Sequence, residues 1–313
     1  MYFQTLLRVL PLLMATGIAS AHPPPVFVVA SDNPYADDGL ARLEQIYRSA
    51  GKVTFLAHLG DLKSGTRLCD LKGYQTMAAL FREQLPPLVY SPGDNDWTDC
   101  RRAVAGDFDP QERLARLREI FYADPTVLRL DKLHVHRPVD LAADYPELFW
   151  FRYGHVLFIN WHVVGSSNNR MPDDPAAMAE FQARSQANAR ITAAALKGYK
   201  GYLRALVILA HGNMALEQQT PPPAYQPLHQ LLEQVLAQTK APVLVIHGDD
   251  HTYFSDKPWQ GRPHGERLWR LDLPGFPQVA GVKVEFVKDK QAPFRFTYLD
   301  SSPPAEDEGR PLE

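Results

Sequence analysis

Six stretches of the chain are apolar without polar alternation: 26–30, 53–59, 88–90, 156–161, 206–210 and 243–246, all rich in β-branched and aromatic side chains. A strand with one wet face alternates, whereas a strand covered on both faces reads as an unbroken hydrophobic run. Amphipathic segments at helical spacing fall between the runs, at 39–49, 74–84, 111–122, 175–196 and 225–238, and the second sets Met77, Leu80 and Phe81 on one face. Strands alternating with helices predict an α/β domain with a largely parallel central sheet. Three later runs, 268–273, 282–287 and 294–299, leave no room for helices between them and predict an antiparallel addition. A length of 313 residues with 27 prolines and no internal repeat fits one large, loop-rich domain.

The two ends of the chain read differently from its middle. Residues 1–21 carry one charge, Arg8, then an apolar stretch and the small residues Ala19, Ser20 and Ala21, which is the pattern of a secretory signal cleaved after Ala21. Pro11 interrupts that stretch and no later segment is apolar for long enough to span a bilayer, so no membrane span is expected after cleavage. The expected organisation is a domain over 22–300 and an acidic, Pro-rich tail over 301–313, disordered by composition. Export places the protein in the periplasm or beyond. In an oxidising compartment Cys69 and Cys100, its only two cysteines, are expected to form a disulfide, adding ~3 to 4 kcal/mol by loop closure. A net charge of −3 offers no basic field for a phosphate backbone, so nucleic acid is not an expected partner. Nothing in the sequence sets an oligomeric state.

In parallel α/β sheets ligands bind beyond the carboxyl ends of the strands. Five of the six runs end there in a possible metal ligand: Asp32 after the first, Asp61 after the second, Asp94 and Asp96 after the third, His211 after the fifth, and Asp249 and His251 after the sixth. One aspartate at such a place is ordinary turn or cap chemistry. Five repeats are not, because carboxylates and imidazoles converging on one edge need a cation to offset repulsion and desolvation. Two ions sharing a carboxylate form the clamp used in phosphoryl transfer, so the pattern predicts metal-dependent hydrolysis.

Those residues resemble the ordered blocks of the calcineurin-like metallophosphoesterases: D-x-H, G-D-x-x-D/N, G-N-H-D/E, a lone H and G-H-x-H. Asp32 matches the first block, Gly60-Asp61 the second, Gly93-Asp94-Asn95-Asp96 the third, His211 the fourth and Gly248-Asp249-Asp250-His251 the fifth. The segments 93–100 and 247–251 resemble a divergent, secreted bacterial branch, with G-D-N-D/E-W-x-D-C and H-G-D-x-H motifs. The resemblance implies a four-layer α/β/β/α sandwich with a dinuclear site at the upper edge of two central sheets. It implies that Asp61 bridges two divalent ions, that Asp32 and His251 bind one, and that Asp94, His211 and Asp249 bind the other. The implied reaction is attack of a metal-bound hydroxide on a small phosphorylated substrate, a phosphate mono- or diester.

The departures from the blocks carry their own chemistry. Pro34 stands in place of a ligand histidine, with Tyr35 as the neighbour able to substitute; Asp94 replaces an Asn and Asp249 a His. Asn95 takes the place of the histidine that protonates the leaving group or holds phosphate, and an amide can bind phosphate but not deliver a proton. Four aspartates under two divalent ions leave no positive surplus, a change worth several kcal/mol even at an effective dielectric of ~20. Weak affinity for dianionic monoesters is therefore expected unless Lys63 or Arg101 restores positive charge. The ligand set favours Mn, Mg or Fe, with Zn or Ca possible. Asn95 and Asp61 are the catalytic candidates, and Lys63 with Asn95 the substrate-binding ones. The loop 162–169 reads as an ordinary polar loop, Trp97 as core, and His58 and His247 as strand histidines outside the site. The alternative function is a metal-binding protein on the same scaffold, impaired in catalysis, that recognises a ligand or partner.

Overall fold

The computed structural model describes residues 23–301, so the expected signal segment and all but the first residue of the expected acidic tail lie outside the described residues. Strands β1 (Val26–Ala30), β2 (Phe55–His58) and β3 (Leu88–Tyr90) are separated by helices α1 (Gly39–Ser49) and α2 (Leu71–Glu83). Then come α3 (Pro110–Tyr122), the single turns α4 (Pro125–Leu128) and α5 (Val139–Ala142), and the hairpin β4 (Phe149–Tyr153) and β5 (Val156–Asn160). The short turn α6 (Gly165–Asn168) precedes α7 (Pro175–Gly198), β6 (Ala205–Leu209), α8 (Gln226–Gln238) and β7 (Val243–His247). The chain ends in β8 (Phe254–Asp256), β9 (Leu268–Asp272), β10 (Ala280–Phe286) and β11 (Phe294–Asp300).

There are two mixed sheets rather than one. The first has the order β11-β10-β1-β2-β3 and the second β4-β5-β6-β7-β9-β8. β1, β2 and β3 run parallel, and so do β5, β6, β7 and β9. The run at 268–273 thus corrects the sequence expectation: β9 pairs parallel with β7, and only β10 and β11 form the antiparallel addition to the first sheet. The crossover from β7 to β9 is made by loops and β8, so the absence of a helix there does not fix strand direction.

Why the runs lack polar alternation is visible in the packing. Phe27 and Val29 of β1 face inward with Phe55, Ala57, Phe149, Phe158, Val207 and Leu244, the shared core of the two sheets. Val28, Leu56 and Leu88 face outward beneath Leu43, Met77, Phe81 and Leu117 of the first helical layer. Leu157, Ile159, Leu206, Val243 and Val245 do the same beneath Ile191, Leu232 and Val235. Both faces of each central strand are therefore dry, and the result is the four-layer α/β/β/α arrangement. No helix among the described residues is long and apolar enough to cross a membrane.

Cys69 and Cys100 are disulfide-bonded, with Cα atoms 5.7 Å apart, tying the loop after β2 to the loop after β3. Replacing both by serine should lower stability by ~3 to 4 kcal/mol, read as a shifted urea midpoint, and an unchanged midpoint would show that the crosslink adds nothing.

Candidate metal centre

The carboxyl ends of the parallel strands are level, since Ala30 pairs with His58, His58 with Tyr90, and Asn160 with Leu209. Turns from both sheets therefore meet at one edge. Backbone bonds stitch them together, Asp32 N–H to Gly60 O at 3.1 Å and Gly248 N–H to His211 O at 2.8 Å. Asp249 N–H crosses between the sheets to Asp32 Oδ2 at 3.1 Å. Asp32, Asp61, Asp249 and His251 all have left-handed backbone, with φ of 57°, 57°, 77° and 60°. Such conformations cost ~1–2 kcal/mol per non-glycine residue and collect where a site over-determines the chain.

Asp32, Asp61 and His211 offer ligand atoms within 4.8 Å of one another, and Asp94, His211 and Asp249 do the same. His211 Nε2 lies 3.3 Å from Asp61 Oδ1, 3.1 Å from Asp94 Oδ1 and 3.7 Å from Asp249 Oδ1. Its Nδ1 meets Leu59 O at 2.6 Å, which fixes the proton there and turns Nε2 into the cluster. His251 repeats the device, with Nδ1 at 2.8 Å from Phe276 O and Nε2 3.3 Å from Asp32 Oδ1. Asp32 Oδ1 is buried and accepts no hydrogen bond. All six candidate ligands are thus brought together, and His211 adjoins the Asp32–Asp61 group as well as the Asp94–Asp249 group.

The charges strain against one another. Burial, reinforced by Asp94 and Asp32 against the opposing pull of His211, pushes Asp61 well above the usual carboxylate range, and the same forces push Asp249 up to about 6. Burial would lower His211, yet Asp61, Asp94, Asp32 and Asp249 raise it well above an ordinary histidine. Asp32 and Asp94 are held low against their burial by His251 and His211. Without a cation the cluster must retain protons to relieve itself, and divalent ions would replace them. The fit is also steric: a Cβ at Gly165 would press on Asp249 Oδ1 and lie 2.8 Å from Asp94 Oδ1, so this turn must be glycine to close over the carboxylates.

Several residues around the ligands have supporting roles that the sequence reading did not assign to them. Asp96 is fully buried and accepts from Asp61 N–H at 2.9 Å, Leu62 N–H at 2.7 Å, Gly93 N–H at 2.8 Å and Tyr90 O–H at 2.8 Å, so it clamps two ligand turns together. Tyr35 O–H donates to Asp61 Oδ2 at 2.9 Å. Asn95 bonds Asp61 twice, from its backbone N–H to Oδ1 at 3.0 Å and from its amide to Oδ2, and the amide also reaches Tyr35 Oη at 3.2 Å.

The loop 162–169 corrects another expectation, because it lines the site. Ser166, Ser167, Asn168 and Asn169 are all left-handed, with φ between 46° and 58°. The turn brings Ser166 Oγ to 2.8 Å from Asp94 Oδ2 and 2.9 Å from Asp99 Oδ2. Its anchor is Arg184 of α7, wholly buried, which donates to His162 O at 3.1 Å and Asn168 O at 2.8 Å. Local propensity gives no hint of a shape imposed from so far along the chain. Arg101 donates to Asn169 Oδ1 at 3.1 Å, and Lys63 is buried with its ammonium 3.3 Å from Ser64 O. Trp97 is fully buried, and His58 and His247 are buried strand histidines.

Behind the loop, Glu147 accepts from Arg118 Nε at 3.0 Å and lies 2.8 Å from His162 Nδ1. Burial opposes its charge, but Arg118 and His162 outweigh it and hold Glu147 at about 2. A folded carboxyl below its ordinary value stabilises above the unfolded pKa, and this contribution is lost as pH falls from about 4.5 to about 2. It amounts to about 3 kcal/mol. Glu147→Gln should therefore lower stability at neutral pH and flatten the acid limb of the stability profile, as followed by urea unfolding. An unaltered acid limb would remove Glu147 from that account.

No family model matches the chain, and no curated protein matches it in sequence. Solved structures do match. One described as the structure of PhoD superposes with a TM-score of 0.50 at 12% identity, over 83% of this chain and 58% of that one. Purple acid phosphatase PPD1 from yellow lupin seeds superposes with a TM-score of 0.50 at 14% identity, over 90% of this chain and 52% of that one. This chain therefore spans little more than half the length of either. The architecture is the metallophosphoesterase fold, with candidate Asp/His metal-binding groups at the edge where its strands end. It is the fold that the sequence motifs led us to expect.

Proposed function

We propose that the protein is a secreted, metal-dependent phosphoesterase with a dinuclear Asp/His site. The observation that carries the reading is the pair of histidines, His211 and His251, each with Nδ1 on a backbone carbonyl and Nε2 aimed at buried carboxylates. In this reading Asp32, Asp61 and His251 would hold one divalent ion, and Asp61, Asp94, His211 and Asp249 would hold the other. Bound divalent ions, with Mn, Mg or Fe favoured, supply charge neutralisation at phosphorus and a water acidic enough to react near neutral pH.

The chain's own residues do the positioning. Asn95 orients Asp61 and can hold a phosphoryl oxygen, but has no proton to give a leaving group. Tyr35 remains a phenol, because burial and then the charges of Asp61 and Asp32 push it far up, so it serves Asp61 as a donor. Lys63 is the remaining candidate to bring positive charge to the substrate, although burial lowers its pKa against the opposing field of Asp96 and Asp61. With four aspartates offsetting two divalent ions, a monoanionic diester meets less repulsion than a dianionic monoester. The disulfide supports export to an oxidising compartment.

Purified protein loaded with Mn²⁺ should turn over members of a mono- and diester panel, with lower KM for diesters. Retained metal with no turnover on any ester would favour the second reading, a metal-binding protein impaired in catalysis, which Pro34 and Asn95 support by standing where histidines would serve.

A further inference from the structure

The loop between β9 and β10 places an aromatic ring beside this centre. Phe276 is fixed by its backbone to two candidate ligands at once: its N–H donates to Asp32 O at 3.3 Å and its carbonyl accepts from His251 Nδ1 at 2.8 Å. The preceding residue lies hard against the same pair, since a Cβ on Gly275 would sit 2.6 Å from Asp32 Cβ and 2.9 Å from His251 Cγ. The loop therefore cannot move without the ligands. The Phe276 ring lies 5.7 Å from the Tyr35 ring at 30°, and Tyr35 is itself 5.7 Å from the His251 ring with its hydroxyl on Asp61. Tyr35 is buried, but Phe276 is 43% exposed.

A lone exposed phenylalanine is unremarkable in itself. This one differs because its backbone is tied to two candidate ligands and its half-exposed ring stands beside a cluster of carboxylates. The neighbouring carboxylates disfavour an anionic organic group, while the faces and edges of an aromatic ring suit another planar ring in offset or edge contact.

We propose that Phe276 is a specificity platform that selects phosphoesters carrying a planar aromatic group, seated on its ring while the phosphoryl group faces Asp61. This rests on the metal-dependent reading of the same site. Its test is calorimetry on Mn²⁺-loaded protein with two monoanionic, P–C-bonded probes, the monomethyl esters of phenylphosphonate and ethylphosphonate, with bound Mn²⁺ measured on the same samples. The wild type should bind the phenyl probe about fivefold tighter than the ethyl probe. Phe276→Ala and Phe276→Leu should bring the two affinities together with metal content unchanged, and Phe276→Trp should keep the preference. The leucine variant keeps an apolar side chain and loses only the ring, so it separates stacking from general hydrophobicity. A preference that survives in the alanine variant, or a Mn²⁺-loaded wild type with no preference, overturns the platform and leaves the metal site standing. A wild type that retains no Mn²⁺ overturns both.

Discussion

Asp61→Asn should remove phosphoesterase activity by more than ~100-fold and lower the metal content of the purified protein. Side chains that only orient metal ligands are already worth ~10- to 100-fold, and Asp61 stands in the middle of the centre. Its Oδ1 faces His211 at 3.3 Å and accepts from Asn95 N–H at 3.0 Å, and its Oδ2 accepts from Tyr35 at 2.9 Å. An Asn side chain keeps the size but presents one oxygen and one NH₂, so it cannot bridge two cations. Because Asp61 is pushed up by burial and neighbouring carboxylates, removing its charge relieves repulsion in the metal-free fold, which offsets the cost of turning an NH₂ toward the Tyr35 and Asn95 donors and leaves stability nearly unchanged. Activity and stability therefore separate in this variant. Equal loss of both would mark Asp61 as a structural residue, and full activity with full metal content would show that the centre lies elsewhere.

Asp96→Asn should do the opposite, destabilising the fold by about 3 to 5 kcal/mol. Asp96 gathers three backbone N–H groups and the Tyr90 hydroxyl onto one buried carboxylate. Burial pushes that carboxyl above its ordinary value, and the four donors offset part of the cost. An amide in the same place turns an NH₂ toward donors and leaves buried N–H groups unpaired, at ~1–3 kcal/mol each. Tyr90→Phe removes only one of the four and should cost ~1 kcal/mol or somewhat more. Urea unfolding of metal-free protein compares the two, and an Asp96→Asn loss below that of Tyr90→Phe would show that the clamp is not what holds the two turns.

How much of this was legible beforehand depended on whether the cause was local. The central strands announced themselves because both faces of each are buried, and five aspartate- or histidine-bearing turns announced the edge where they end. β4 and β8 did not: Phe149–Tyr153 carries Arg152 and a hairpin pairing, and Phe254–Asp256 is short and largely exposed. The parallel direction of β9 is set by its place beside β7, which no run of residues encodes. The ligands were readable as residue types after strands, whereas their support was not. Asp96 read as one more possible ligand at a strand end, and only the four donors that converge on it show it as a clamp. Ser166 reaches Asp94 only because Arg184 and the left-handed turn hold it there. Phe276 meets the site through backbone bonds, for which the sequence has no letter.

The central claim is that the acidic edge is a two-ion centre, and anomalous scattering from crystals grown with Mn²⁺ tests it most directly. Two peaks are predicted, one among Asp32, Asp61 and His251 and one among Asp61, Asp94, His211 and Asp249. A single peak, or none at that edge, would contradict it.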